Sequence, residues 1–217
     1  MSDAENARLV AFAVGGAVWG LVADRVSARW PAHKDGQTRS VDWRTVAVPL
    51  AAAAAFAGLA ARWSEPRDLV VLGIFFAALV LLLATDLDQR LLPDVVTLPL
   101  IPFALVVLLI AWDPLLNGKS LGLVSGLIAA LGGPAVLVLT SRLFGGGIGM
   151  GDIKLVVSLG LMCGIYLLIA GFLFASIVFA VLLVALLLTR RLGLKSAIPF
   201  GPILIAAGII GALLPAA

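Results

Sequence analysis

The stretch that decides the fold runs from Ile153 to Thr189, IKLVVSLGLMCGIYLLIAGFLFASIVFAVLLVALLLT, 37 residues in which Lys154 carries the one charge. A helix that crosses a bilayer needs about 20 apolar residues, so this run is too long for one crossing and suits two. A break near Gly171 divides it into helices over about 153–169 and 171–189, joined as a tight hairpin. Working outward, further apolar segments fall at roughly 8–27, 45–62, 68–86, 94–112, 120–143 and 197–215. The first is the weakest, because Arg8, Asp24 and Arg25 trim its ends. The expected fold is therefore all-α, a polytopic integral membrane bundle of about eight transmembrane helices.

Composition agrees. Hydrophobic residues make up 62% of the chain and charged residues 12%, with a mean hydropathy of +1.17. A soluble domain is nearer half apolar and a quarter charged, so too few polar side chains remain here to coat a water-exposed surface. Lipid offers the backbone no hydrogen bonds, and apolar runs of this length satisfy their amides only as helices. The one cysteine, Cys163, lies inside an apolar run, which excludes an intramolecular disulfide and a cysteine zinc site and reads as a small buried hydrophobe. A net charge of +3 without a basic face argues against nucleic-acid binding. Met1 to Ala7 carry Asp3 and Glu5 and no basic residue, so the first apolar run is expected to be retained rather than cleaved as a signal peptide.

Basic residues orient the bundle. With eight crossings, alternate loops share a side, and eleven of the fifteen Lys and Arg fall in one set. Arg8, Arg62, Arg67 and Lys119 make up the other. The richer set, with loops at 28–44, 87–93, 144–152 and 190–196, is expected in the cytoplasm, with both termini outside.

Two carboxylates stand apart from the solvated ones. Asp86 closes the run Leu69–Thr85 and Asp152 opens the run from Ile153, so both sit at the cytoplasmic membrane boundary. An aspartate at membrane depth costs up to about 2.5–3.5 kcal/mol at a helix centre and less near an end, which marks it as functional unless solvated. Before Asp152, residues 145–151 hold five glycines in seven, a poor helix and a backbone that a substrate chain can approach closely. Asp152 then stands at a helix N-terminus, where the dipole favours an ionised carboxylate. The Gly-Lys-Ser/Thr of a phosphate-binding loop does not follow, whereas a plain interhelical turn stays open.

The other segment reads Asp86-Leu87-Asp88-Gln89-Arg90-Leu91-Leu92-Pro93-Asp94. Asp86 and Asp88 lie about 200° apart on a helix and form a metal-binding Asp-x-Asp only if the helix has ended. Asp88 otherwise reads as a solvated helix-end group. Asp94 is placed to cap the helix after Pro93, and Arg90 to neutralise nearby acids or lipid headgroups.

Three elements together resemble the type IV prepilin peptidase family of intramembrane aspartyl peptidases. Gly149-Met150-Gly151-Asp152-Ile153-Lys154 is similar to its Gly-x-Gly-Asp signature. Asp86 through Pro99, with Leu91-Leu92-Pro93-Asp94 and Thr97-Leu98-Pro99, is similar to its first catalytic-aspartate motif. Ile198-Pro199-Phe200-Gly201-Pro202 resembles its closing Pro-Phe-Gly-Pro element. The resemblance covers about residues 70–215. It implies Asp86 and Asp152 as the catalytic pair, with Gly149, Gly151, Lys154, Pro93 and Asp94 in the surrounding active-site loops. It also implies a pilin or pseudopilin precursor with a basic leader as substrate, cleaved at the cytoplasmic face of the inner membrane. Neither a metal nor an organic cofactor is expected for proteolysis; S-adenosylmethionine enters only if the product is also N-methylated.

The chain then divides into a two-helix N-terminal region, 1–67, and a catalytic membrane domain, 68–217. The N-terminal region departs from the best-known members, whose cytoplasmic loop carries paired Cys-x-x-Cys elements. The corresponding segment here, 28–44, has no cysteine, and its histidine, His33, reads as a solvated loop residue. Three other classes stay open: a transporter or channel using the same acids, a metal-dependent phosphotransferase built on Asp86 and Asp88, and a prepilin-recognising protein without catalysis.

Overall fold

A computed structural model of the chain describes residues 3–32, 38–143, 148–189 and 200–214. Among them are seven α-helices and no strand: α1 (Asp3–Ser27), α2 (Arg44–Arg62), α3 (Pro66–Gln89), α4 (Asp94–Leu109), α5 (Gly122–Leu143), α6 (Met150–Leu188) and α7 (Gly201–Leu213). Helices α1, α2, α3, α5 and α6 are long and apolar enough to cross a membrane, while α4 and α7 are apolar but shorter. The chain is a multi-pass membrane protein built as a helix bundle. His33, Gly145 to Gly147, Ile198 and Pro199, and the basic residues Lys34, Arg190, Arg191 and Lys195 lie outside the described residues.

Seven helical elements stand where eight were expected, because the stretches over 153–169 and 171–189 are joined through a sharp reversal inside α6. Its interruption is not at Gly171 but at Gly164, where φ is 64° and ψ −175°. That conformation is open to glycine and strained for any residue with a Cβ. Gly171 has a different task, lying so close to α7 that a Cβ would stand 2.2 Å from the Ala207 carbonyl oxygen.

Neighbouring contacts show that α6 folds back at Gly164. Gly171 meets Ala207, and Leu159 meets the next residue, Gly208. Along a straight helix residues 159 and 171 would be about 18 Å apart. The first arm, 150–163, instead lies antiparallel to α5, with Val156 against Gly133 and Leu161 against Gly126. The second arm, 165–188, runs back along α7 and antiparallel to it, Leu167 beside Gly211 and Gly171 beside Ala207. The Ile165 amide, freed at the reversal, donates to Ser125 Oγ at 2.9 Å.

Helix α3 is the axis of the bundle, with Leu72, Phe75, Phe76, Leu79 and Leu82 fully buried. The outer helices turn Val, Leu and Ile outward, as lipid-facing surfaces do. Between helices, lipid supplies no hydrophobic drive, so close packing and hydrogen bonds must serve. Trp19 Nε1 donates to the Ala77 carbonyl at 2.9 Å and Trp63 Nε1 to the Ala212 carbonyl at 3.1 Å. Helix α1 also runs through Asp24 and Arg25, which the sequence placed at a trimmed end. Asp24 is fully buried and pairs there with Arg25 and Arg39.

Candidate active site

One end of the bundle gathers the last turn of α3, the segment 90–93, and the first turns of α4, α6 and α7. Asp86 is in that last turn of α3, and the residue is 4% exposed. Its Oδ2 has no hydrogen-bond partner among the described residues. The helix stops just beyond it, at Arg90 in the left-handed region (φ 55°, ψ 40°), whose amide donates to the Asp86 carbonyl at 2.9 Å.

Asp152 comes to the same place from α6. Gly149 is the N-cap of that helix, and its amide donates to Asp152 Oδ2 at 3.3 Å, half of a capping box. Asp152 is half-buried. The two candidate catalytic residues, far apart in the chain, thus lie at the same end of the bundle.

Glycine sets two of the distances. A Cβ on Gly151 would lie 2.7 Å from Leu92 Cβ, so this glycine lets the start of α6 dock on the segment before α4. The sequence suggested that it makes room for a substrate backbone; the structure fills that room with Leu92. At Gly201 a Cβ would stand 2.7 Å from Asp86 Cγ and 2.8 and 2.9 Å from its two oxygens. No residue but glycine fits at that point without moving the carboxylate. Gly201 belongs beside the aspartates as a site residue. Its place in Phe200-Gly201-Pro202 was the available signal, though sequence alone did not show what the glycine faces.

Two further readings change. Asp94 does not cap α4: the N-cap is Pro93, whose carbonyl accepts the Val96 and Thr97 amides at 3.0 Å each. The Asp94 carboxylate instead takes the Lys154 ammonium at 2.7 Å, tying α4 to α6 across the site. Asp88 is not solvated. Its side chain is 2% exposed, and its Oδ1 lies 2.8 Å from Arg39 Nε and 3.0 Å from Arg44 Nη1. Since α3 continues to Gln89, Asp86 and Asp88 point to different sides and present no common metal site. No group of three or more His, Cys, Asp or Glu suited to a metal occurs among the described residues. Cys163 is buried, as read from the sequence.

Asp86, buried, and Asp152, half-buried, stand on two helix ends with glycine backbone pressed against Asp86, a candidate two-carboxylate site in a membrane helix bundle. The profile of the type IV leader peptidase family matches residues 73–215, and the chain belongs to that family. It is similar to the prepilin leader peptidase/N-methyltransferase of Bacillus subtilis (strain 168), 30% identical over 167 residues, 77% of this chain and 64% of that protein. It is also similar to the protein of that name from Aeromonas hydrophila, 37% identical over 146 residues, 62% of this chain and 46% of the relative. The chain thus spans about half to two thirds of the length of these relatives. No solved structure matches it.

Proposed function

We propose that this chain is an aspartyl endopeptidase that removes the basic leader of type IV pilin or pseudopilin precursors at the cytoplasmic face of the inner membrane. The observation that supports the reading is that the last turn of α3 with Asp86 and the first turn of α6 with Asp152 lie at one end of the bundle, inside the matched region. Two adjacent carboxylates hold one proton between them, because both cannot ionise cheaply at short range. The ionised one takes a proton from water, whose oxygen then bonds to the scissile carbonyl carbon. The protonated one donates to the carbonyl oxygen as the tetrahedral intermediate forms. Collapse breaks the C–N bond, and the departing amine takes up a proton from the dyad. Hydrolysis of this kind uses no cofactor. S-adenosylmethionine would be needed only for N-methylation of the product.

Co-expression with pilin precursors, followed by mass spectrometry of the mature N-terminus, tests the proposal. The expected mass lacks the leader, and the same spectrum reads any methyl group. An unchanged precursor across a panel of pilins and pseudopilins would count against the peptidase. Sidedness follows from the basic asymmetry. With Cys163 replaced by serine, Arg142→Cys is expected to react with a label from the cytoplasm and Lys119→Cys from outside. Reaction from one and the same side would sink the orientation.

A further inference from the structure

Helix α3 ends in two acids two residues apart, and only one of them faces the site. Asp88 meets Arg39 and Arg44 on the opposite side, and these side chains continue into a partly buried network. Arg39 also pairs with Asp24 and Asp42, and Arg25 pairs with Asp24 while reaching Thr45 Oγ1 at 2.5 Å. The cluster holds three aspartates (24, 42, 88) and three arginines (25, 39, 44), so its formal charge balances. A balanced and mutually paired set has no surplus charge to offer a ligand. Next to it, Gln89 Nε2 donates to the Pro31 carbonyl at 2.7 Å, and Leu87 packs against the small core formed by Ala23, Val48, Ala52, Val80 and Ala84. Three consecutive residues after Asp86 are therefore each held by the region that precedes α3.

We propose that Asp88 is a positioning residue for Asp86, clamped by Arg39 and Arg44 so that the last turn of α3 presents the Asp86 carboxylate to Asp152. This rests on the peptidase reading above. The physical reasons are three. Helix ends fray, and α3 stops immediately after this turn at Arg90. Asp86 Oδ2 has no partner of its own, so its direction is inherited from the backbone that carries it. Buried ion pairs add little net stability over apolar packing, yet they hold a geometry that fails when one partner is removed. A displacement of about 1 Å at a reacting group costs on the order of a hundredfold in rate.

The test uses the full chain in detergent with a pilin precursor as substrate. For each variant, kcat per folded molecule and KM are measured well below its Tm, with wild type and Asp86→Asn as limits. Asp88→Asn is expected to lose about tenfold or more in kcat with KM within about twofold. Asp88→Glu, which keeps the charge, is expected to recover most of that loss. Arg44→Gln, which removes one of two contacts at a partly exposed side chain, is expected to lower kcat about threefold and leaves the question answerable if Asp88→Asn does not fold. A merely structural clamp would lower Tm and leave kcat per folded molecule unchanged. That result for Asp88→Asn or Arg44→Gln, or an Asp88→Glu variant no better than Asp88→Asn, overturns the proposal. Failure of the peptidase reading looks different: wild type leaves the precursor intact, or Asp86→Asn still cleaves it.

Discussion

The two ends of the bundle each bury an aspartate with an unpartnered oxygen, and they differ in what surrounds it. At one end stands Asp86, 4% exposed; at the other, in the connection between α4 and α5, stands Asp113, 1% exposed. Burial therefore does not separate a site from a structural acid. Asp113 is held by its own neighbourhood, its Oδ1 accepting the Leu115 amide at 2.8 Å in a turn of three residues. Asp86 is met by a segment remote in sequence, Gly201 on α7, and α6 begins at the same end with Asp152. A local hydrogen bond makes a turn. A second carboxylate at the same end is what the proposed dyad needs.

The largest effect expected at the Asp86 end is loss of chemistry without loss of fold. Asp86→Asn and Asp152→Asn should each reduce leader cleavage by at least about 10³-fold, since general acid–base catalysis contributes about 10²–10⁴. Both variants should still insert and elute as wild type on size exclusion. Asp113→Asn, measured beside them, should cleave within about twofold of wild type, because it touches no reacting group. Comparable inactivity in a folded Asp113→Asn variant would break the contrast between the ends.

Gly201→Ala sharpens it. The added methyl falls on the Asp86 carboxylate, so kcat should drop by about ten- to a hundredfold, while the membrane-inserted fold persists. Wild-type kcat in that variant would mean that Gly201 and Asp86 are not in contact when substrate is bound.

At the other end the expected effect is on stability and depends on pH. Burial pushes the Asp113 carboxyl from 3.8 up to about 7, against the pull of the Leu115 and Leu116 amides. The folded state therefore binds this proton more tightly than the unfolded state. The contribution is fully present below about 3.8 and is lost as pH rises through about 7. Asparagine keeps the acceptor for Leu115 and removes the titration. Asp113→Asn should thus gain on wild type as pH rises from 4 to 8, by on the order of 5 °C in Tm in detergent. A Tm difference independent of pH would show that Asp113 stays charged in the folded protein.

The smallest effect belongs to the surface of the site. Lys154 and Asp94 form a pair in which the Asp94 side chain is 58% exposed, and such pairs contribute about 0–1 kcal/mol. Asp94→Asn should change Tm by no more than about 2 °C and cleavage by less than about threefold. A tenfold loss would place Asp94 in the chemistry and redraw the boundary of the site.

Composition, run length and three short motifs were enough to read the membrane bundle, the boundaries of most helices and the candidate pair Asp86 and Asp152. Those properties are local: an apolar run of a given length must be a helix in lipid, and a glycine-rich break next to an acid is visible in a line of text. The reversal at Gly164 was not legible, because Gly160, Gly164 and Gly171 look alike in sequence. Only the packing against α5 and α7 shows which of them takes a positive φ. For the same reason Asp88 looked solvated and Asp94 looked like a cap, since the arginines and the lysine that hold them come from other parts of the chain. Which segments are long and apolar enough for a membrane can be read in one dimension, because transfer into lipid depends on the residues of each segment alone. Which acid stands against Gly201 and which meets an arginine depends on the fold, because those energies act between groups that only the packed helices bring together.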